Sequence, residues 1–450
     1  MCRPGPTCCA PPQGCHRCRL AWCRCRTAAG RGADAVADGD AVGDAGADLP
    51  RLPLREPLSD LVNTPASLQE TVDALGRGQG PVAIDAERAS GYRYSPRAYL
   101  VQLRREGSGT ALIDPTEFDD LRPLDAAIGD TEWILHAATQ DLPCLAELEM
   151  RPQRLFDTEL AGRLLNLARV GLASLVQELL GYSLAKEHSA VDWSRRPLPE
   201  PWLEYAALDV EVLIELREVL GQRLEASGKL GWAQEEFDAL RTFSGPGARL
   251  EPWRRVSGIH RARGRRSLAI IRELWLARND IAAAADTSPS RILHDSAIME
   301  AAIDVSTTAR PVRSLPGMRS RNARRNLDRW AQAVAVALAL PEDQLPTVTP
   351  RYEGPPPARG WPDRDPEAAA RLAASREALR AIAADHDLPA ENLLAPDYVR
   401  RLAWEPPSPL TPDAVAAVLL RLGARGWQIT LTLPALTSAL TALPPANNLG

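Results

Sequence analysis

Lysine is almost missing from this 450-residue chain: Lys186 and Lys229 are the only two, and every other basic side chain is arginine. With abundant Ala and Pro, this is the mark of GC-rich coding sequence and excludes no function. Cysteine is nearly absent from the body. Seven of the eight (Cys2, Cys8, Cys9, Cys15, Cys18, Cys23, Cys25) lie in the first 25 residues and leave Cys144 alone, so the body reads as a reduced, disulfide-free protein. Long apolar runs are missing too. No stretch approaches the roughly 20 residues that cross a bilayer, and the first 30 residues lack the continuous hydrophobic segment of a secretory signal. The expectation is a cytoplasmic protein with no membrane partner.

What is present is enough apolar chain, 45% hydrophobic residues, to fill more than one core, and the length suits about three domains. The net charge of −5 hides a division. Residues 251–340 hold 16 Arg against 8 acidic residues, a local +8 that leaves −13 elsewhere. At the amino terminus, Cys15-His16-Arg17-Cys18 and Cys23-Arg24-Cys25 have thiolates at zinc-ligand spacing, but the second pair is tighter than a usual zinc knuckle. The alternative is an extension from a start codon read too early. Either way, residues 1–56 are expected to be disordered or extraneous, with 28–50 rich in Gly, Ala and Asp.

Folded structure is expected from about residue 57. Ser67-Leu68-Gln69-Glu70 reads as a capping box opening a helix that Gly76 can close. Val82–Glu87, Ala98–Leu103 and Thr110–Ile113 read as the strands of an antiparallel meander, and Trp133–His136 as a further strand. Helices are expected at 120–129, 139–148, 158–168, 172–180 and 201–224. Strands first and helices after argue an α/β domain with a mixed sheet over 57–243. Ser244-Gly245-Pro246-Gly247 marks a boundary, and 341–362, with seven prolines and two glycines, reads as a stiff linker. It separates helical segments 251–340 and 363–443. Ile281–Ala302 and Ile382–Ala403 share an acidic turn, a Pro (Pro289, Pro389) and a following Leu (Leu293, Leu393), the pattern of a duplicated small helical domain.

Three acidic motifs carry the chemistry. Asp85 and Glu87 stand two apart in a strand, which aims both carboxylates at one face while Val82, Ile84 and Ala86 aim at the other. In His136-Ala137-Ala138-Thr139-Gln140-Asp141 a strand ends and a helix begins, placing Asp141 at the positive end of a helix dipole. Tyr205 and Asp209 are four apart on a late helix and share its face. Singly, each has a bland reading: a polar-out strand, a helix-end charge, a chance pair. Together, and in this order, they describe a carboxylate centre.

With these motifs, Tyr99-Leu100-Val101-Gln102-Leu103, Leu112-Ile113-Asp114-Pro115, Phe156-Asp157-Thr158 and Asp192-Trp193-Ser194-Arg195-Arg196-Pro197-Leu198, residues 80–235 resemble the ribonuclease D family, the tyrosine branch of the DEDD exonucleases. The resemblance implies a ribonuclease H-like α/β exonuclease domain followed by two small all-α domains of HRDC type. It also implies two divalent ions, Mg²⁺ or Mn²⁺, held by Asp85, Glu87, Asp141 and Asp209. By the same resemblance Asp85 bridges both ions, Glu87 and Asp209 complete one position, Asp141 supports the other through water, and Tyr205 orients the attacking water. Hard carboxylate oxygens suit those ions. Gln102, His136 and Lys186 are carried over as substrate contacts. Where the family usually has an aromatic residue after Asp-x-Glu, this chain has Arg88.

The segment 251–340 resembles an HRDC domain, with Leu268, Ile271, Leu274 and Trp275 at core spacing. Its positive charge clusters by sequence in Arg261, Arg263, Arg265, Arg266, Arg319, Arg321, Arg324 and Arg325, a candidate phosphate-binding set. The expected activity is a monomeric 3′–5′ exoribonuclease releasing nucleoside 5′-monophosphates from RNA 3′ ends, tRNA precursors first. A 3′–5′ DNA exonuclease and a catalytically silent RNA-binding scaffold are the rivals.

Overall fold

The computed structural model describes residues 49–184, 188, 190–308, 311–350 and 354–442. The seven amino-terminal cysteines and Lys186 lie outside them. The chain is already structured ahead of residue 57. Leu52 is buried, its N–H bonds to the Ser183 carbonyl at 3.1 Å, and the Arg55 N–H donates to Glu211 at 3.1 Å.

Helix α1 (Pro65–Arg77) packs ahead of strand β1 (Gln79–Arg88). Its capping box lies three residues before the expected one: Thr64 is the N-cap and exchanges bonds with Ser67. Pro65 favours that start, because its missing N–H would be unpaired in the first turn anyway. The closing glycine is Gly78, not Gly76: its N–H bonds the Ala74 and Leu75 carbonyls at 3.1 Å each. Strands β2 (Ala98–Glu106) and β3 (Gly109–Ile113) complete the expected meander. After α2 (Arg122–Ile128), β4 (Glu132–Leu135) joins β1 in parallel, and past α3 (Leu142–Glu147) comes β5 (Arg154–Asp157), parallel to β4. The mixed sheet has the order β3-β2-β1-β4-β5, so the strand bearing Asp85 and Glu87 is central.

Helices α4 (Thr158–Leu164) and α5 (Leu172–Leu175) follow, the latter running on as one π turn over Val176–Leu180. The expected 201–224 helix is two, α6 (Glu200–Glu211) and α7 (Leu213–Ala226), broken at Val212; α8 (Leu230–Leu240) was not foreseen. One face of β1, with Val82, Ile84 and Ala86, enters the main apolar core. The other meets a smaller cluster formed by Tyr99, Leu100 and Leu112 with Trp193, Ala206 and Ala207, which seats α6 over the sheet.

The first helical segment comprises α9 (Gly264–Ala284), α10 (Pro289–Ile292), α11 (Asp295–Thr308), α12 (Arg321–Arg325) and α13 (Leu327–Ala339). It has its own core, in which Leu268, Ile271, Leu274 and Trp330 are buried and Trp275 packs alongside. The last comprises α14 (Trp361–Arg364), α15 (Pro366–Asp385), α16 (Ala390–Leu393), α17 (Pro396–Trp404), α18 (Pro412–Leu422) and α19 (Gly426–Ala439). Trp361, at the end of the expected linker, is fully buried in its core.

The two helical segments repeat each other with an offset of 101. Asp286 and Asp387 both adopt positive φ, 40° and 49°, and in each turn the next residue's N–H returns to the long helix, Thr287 to Ala282 and Leu388 to Ala383. The repeat register therefore pairs Leu293 with Leu394, one residue from the expected match, and Pro289 with Ala390.

Candidate active site

Asp85 and Glu87 project from one face of β1 near its carboxyl end, and α6 lays Tyr205 and Asp209 across that face one helical turn apart. The result is a cluster in which one carboxylate oxygen from each of Asp85, Glu87 and Asp209 lies within 4.8 Å of the others. Like charges this close raise one another's pKa. Burial raises Asp85 to about 6, against the lowering pull of the Ala86 backbone N–H and the Arg88 charge. Burial first, then the neighbouring carboxylates, push Glu87 and Asp209 well up. Such a set of hard oxygen donors fits divalent cations, whose charge offsets the repulsion.

Asp141 stands beside this trio without joining it. Its buried carboxyl is pushed well up by burial and by Asp85, and its Oδ1 lies 3.9 Å from Arg88 Nη2. Tyr205 hydrogen-bonds Asp209, and burial with the Asp209 and Glu87 charges drives its phenol far up. It therefore stays protonated and can orient a partner but not remove a proton. Its ring meets His188 edge-on at 6.0 Å.

The loop carrying Asp141 is held by a residue that sequence reasoning did not single out. Asp157, at the end of β5, accepts the N–H groups of Ala137 and Ala138 at 3.2 and 2.8 Å and those of Glu159 and Leu160 at 2.9 and 3.0 Å. That grip sustains the left-handed conformation of Ala137, φ 56°, which turns the chain from β4 toward Asp141. The Phe156-Asp157-Thr158 match was a signal that pointed there. A second support is Arg196, which donates to Asp114 (2.6 Å) and to the Tyr99 and Trp193 carbonyls (2.8 Å each), pinning the segment before α6 to the sheet. Although burial opposes it, bonding to Arg196 keeps Asp114 below its ordinary value.

The expected substrate contacts divide. Gln102 pairs with Asp85 in the β1/β2 register, so it shares that face. It is fully buried, and neither amide atom has a hydrogen-bond partner. His136 bonds Thr158 at 2.9 Å, and burial pushes its pKa down to about 4, which leaves it neutral. Arg266 is committed elsewhere: it caps the end of α13 through the Ala337, Leu338 and Leu340 carbonyls and pairs with Glu342. Arg265 holds the Leu345 and Pro346 carbonyls. These two fold the first helical segment, because orphan carbonyls at a helix end attract guanidinium donors. Arg261, Arg263, Arg319, Arg321, Arg324 and Arg325 are exposed.

Helix α10 connects that surface to the site. The Ser288 N–H bonds the Tyr92 carbonyl at 2.9 Å, Arg291 Nε the Gly91 carbonyl at 2.8 Å, and Asp286 accepts the Ser95 N–H at 2.9 Å. Arg291 also lies over the Tyr92 ring at 4.0 Å. Asn322 of α12 donates to the Arg291 carbonyl at 2.7 Å. The loop leaving the Asp85–Glu87 strand is thus clasped by the arginine-bearing domain.

Known proteins are similar to this chain in sequence and in fold. Residues 60–225 match the family model for a 3′–5′ exonuclease, 267–334 that for an HRDC domain, and 354–440 that for a 3′ to 5′ exonuclease C-terminal domain. The chain is 31% identical over 358 residues to ribonuclease D of Gluconacetobacter diazotrophicus, covering 77% of this chain and 86% of that one. A Bifidobacterium adolescentis protein of known crystal structure is 40% identical, with TM-score 0.80, covering 87% of this chain and 100% of its own. Escherichia coli RNase D, described as an exoribonuclease involved in structured RNA processing, is 26% identical with TM-score 0.61, covering 86% of this chain and 99% of its own.

Proposed function

This chain belongs to the ribonuclease D family of 3′–5′ exoribonucleases, and on that premise we propose that Asp85, Glu87, Asp209 and Asp141 hold two divalent ions, Mg²⁺ or Mn²⁺, at an RNA-trimming centre. The observation that carries this reading is the convergence of three carboxylates within 4.8 Å, an arrangement that repels phosphate unless cations fill it. When bound, such ions neutralise the scissile phosphate and acidify water. The residues do the rest. Asp85, on the central strand, anchors the cluster with Glu87 and Asp209, and Asp141 supports it from beside the trio. Tyr205 orients the water whose oxygen bonds to phosphorus as the 3′ oxygen of the preceding nucleotide departs; the water gives up a proton and the departing 3′ oxygen takes one up, releasing a nucleoside 5′-monophosphate. The exposed arginines of the first helical domain hold the RNA body, and structured RNAs with short 3′ tails, tRNA precursors among them, suit a site flanked by that basic surface. The enzyme acts as a monomer.

The test is digestion of a 3′-tailed RNA and a single-stranded DNA of the same sequence by the full chain with Mg²⁺ or Mn²⁺. RNA is trimmed to 5′-monophosphates, DNA more slowly. Asp85→Asn and Asp209→Asn each lower the rate by about a hundredfold or more, the scale of losing one preorganised electrostatic group. Undiminished trimming in both variants would remove the assigned centre.

A further inference from the structure

The trio Asp85, Glu87 and Asp209 suffices to surround one ion. Asp141 is served differently, because the nearest charged group of opposite sign is Arg88, the residue that follows Glu87 where the β1/β2 register shifts. Its Nη2 stands 3.9 Å from Asp141 Oδ1 and 3.4 Å from Gln140 Oε1, with the side chain only 27% exposed. A guanidinium does not lose its proton at any working pH. An ion approaching Asp141 therefore meets a fixed positive charge a few ångströms away, in a partly desolvated place where charges act strongly. A nucleotide phosphate entering the same space brings negative charge that offsets it and offers the guanidinium a bidentate partner in place of Asp141.

We propose that Arg88 is a resident countercation that makes filling of the Asp141 ion position conditional on a nucleotide phosphate in the site. This rests on the two-ion reading above. In the nucleotide-free protein Arg88 holds Asp141 and weakens the second ion. Nucleotide binding releases it, and by linkage each ligand then tightens the other. Arg88 is thus a positioning residue that couples ion loading to substrate arrival.

Mn²⁺ binding to the full chain, followed by electron paramagnetic resonance and calorimetry without turnover, tests this in wild type, Arg88→Gln and Arg88→Lys. The measurement is repeated with adenosine 5′-monophosphate as probe. Wild type should bind one ion tightly and a second weakly. Arg88→Gln should tighten the second by roughly tenfold, the ordinary scale of such coupling, and the first by less, since the Arg88 charge reaches Asp85 and Glu87 as well, while Arg88→Lys should keep the wild-type pattern. The nucleotide should tighten the second ion in wild type and much less in Arg88→Gln. An unchanged or weaker second ion in Arg88→Gln, or a lysine variant that behaves like glutamine, overturns the role of Arg88. A wild-type protein that binds no ion overturns the metal reading itself and this proposal with it. Two ions of equal affinity in all three proteins sink only the proposal.

Discussion

Asp85, held at about 6 by burial and its surroundings, sets a pH signature for the ion-free enzyme. The folded state keeps a proton that the unfolded chain, with its carboxyl at 3.8, gives up. Stability from this group is complete below pH 4 and is lost as pH rises through about 6; Glu87, Asp141 and Asp209 shift the same way. In chelator the melting temperature should therefore fall between pH 4 and pH 7, and Mn²⁺ at pH 7 should restore it. Asp85→Asn should flatten the slope, and a slope of opposite sign would contradict the crowded-carboxylate account. Asp157 acts at the same scale without belonging to the trio. Asp157→Asn replaces one acceptor oxygen by a donor facing buried N–H groups. It should cost about 2 kcal/mol in urea unfolding, the range for an unsatisfied buried partner, and should weaken ion binding through the displaced Asp141 loop. The acidic motifs were legible because their spacing declares a shared face. Asp157 was legible only in part: its local pattern marks a helix N-cap, bonding Glu159 and Leu160, but its hold on Ala137 and Ala138 lies some twenty residues away and no spacing declares it.

At the scale of elements, one turn appears twice in the same use. The left-handed aspartate after α9 grips the loop beyond β1, and its counterpart after α15 grips the exonuclease domain through Asp387, which accepts the Asn166 amide at 2.7 Å. Lys229, one of the chain's two lysines, is buried and donates to the Leu164 and Asp387 carbonyls at 2.8 Å each. Lys229→Met keeps the shape and orphans both acceptors. It should destabilise the protein by about 2 to 3 kcal/mol, the range for hydrogen bonds from a charged donor, seen as a lower urea midpoint with Mn²⁺ binding intact. The sequence showed the repeat, since an acidic turn between two apolar helices is a local pattern. It misplaced the register by one, because Pro289 and Pro389 align as letters while the backbone aligns Asp286 with Asp387. Strand β5 escaped notice, being four residues long and defined by its pairing to β4. The break at Val212 escaped too, because both helices share one hydrophobic period.

Over the whole molecule, apolar packing joins the exonuclease domain to the last helical domain. Residues such as Phe237, Leu379, Val399 and Trp427 belong to one continuous core, and Trp232 stacks on Trp427 at 5.0 Å. The first helical domain keeps a separate core around Trp330 and, among the described residues, touches the exonuclease domain through polar bonds and the Arg291–Tyr92 cation-π contact. Calorimetry should accordingly show two transitions, not three. Trp330→Ala, which empties a buried site and costs about 3 to 5 kcal/mol, should lower only the smaller one. A single transition shifted as a whole would refute separate cores. Among the described residues no helix is long and apolar enough to cross a membrane.

The sequence by itself determined the α/β-then-helical order, the central strand with its paired acids, the tyrosine and aspartate on one helix face, and the basic character of residues 251–340. All of these follow from periodicity and local spacing. Only tertiary structure decided that three carboxylates converge while the fourth pairs with Arg88, that Arg265 and Arg266 serve the fold while other arginines stay exposed, and that the last domain shares the catalytic core. Those outcomes depend on which distant groups meet, and a donor or a charge takes its role from whatever packing brings within a few ångströms.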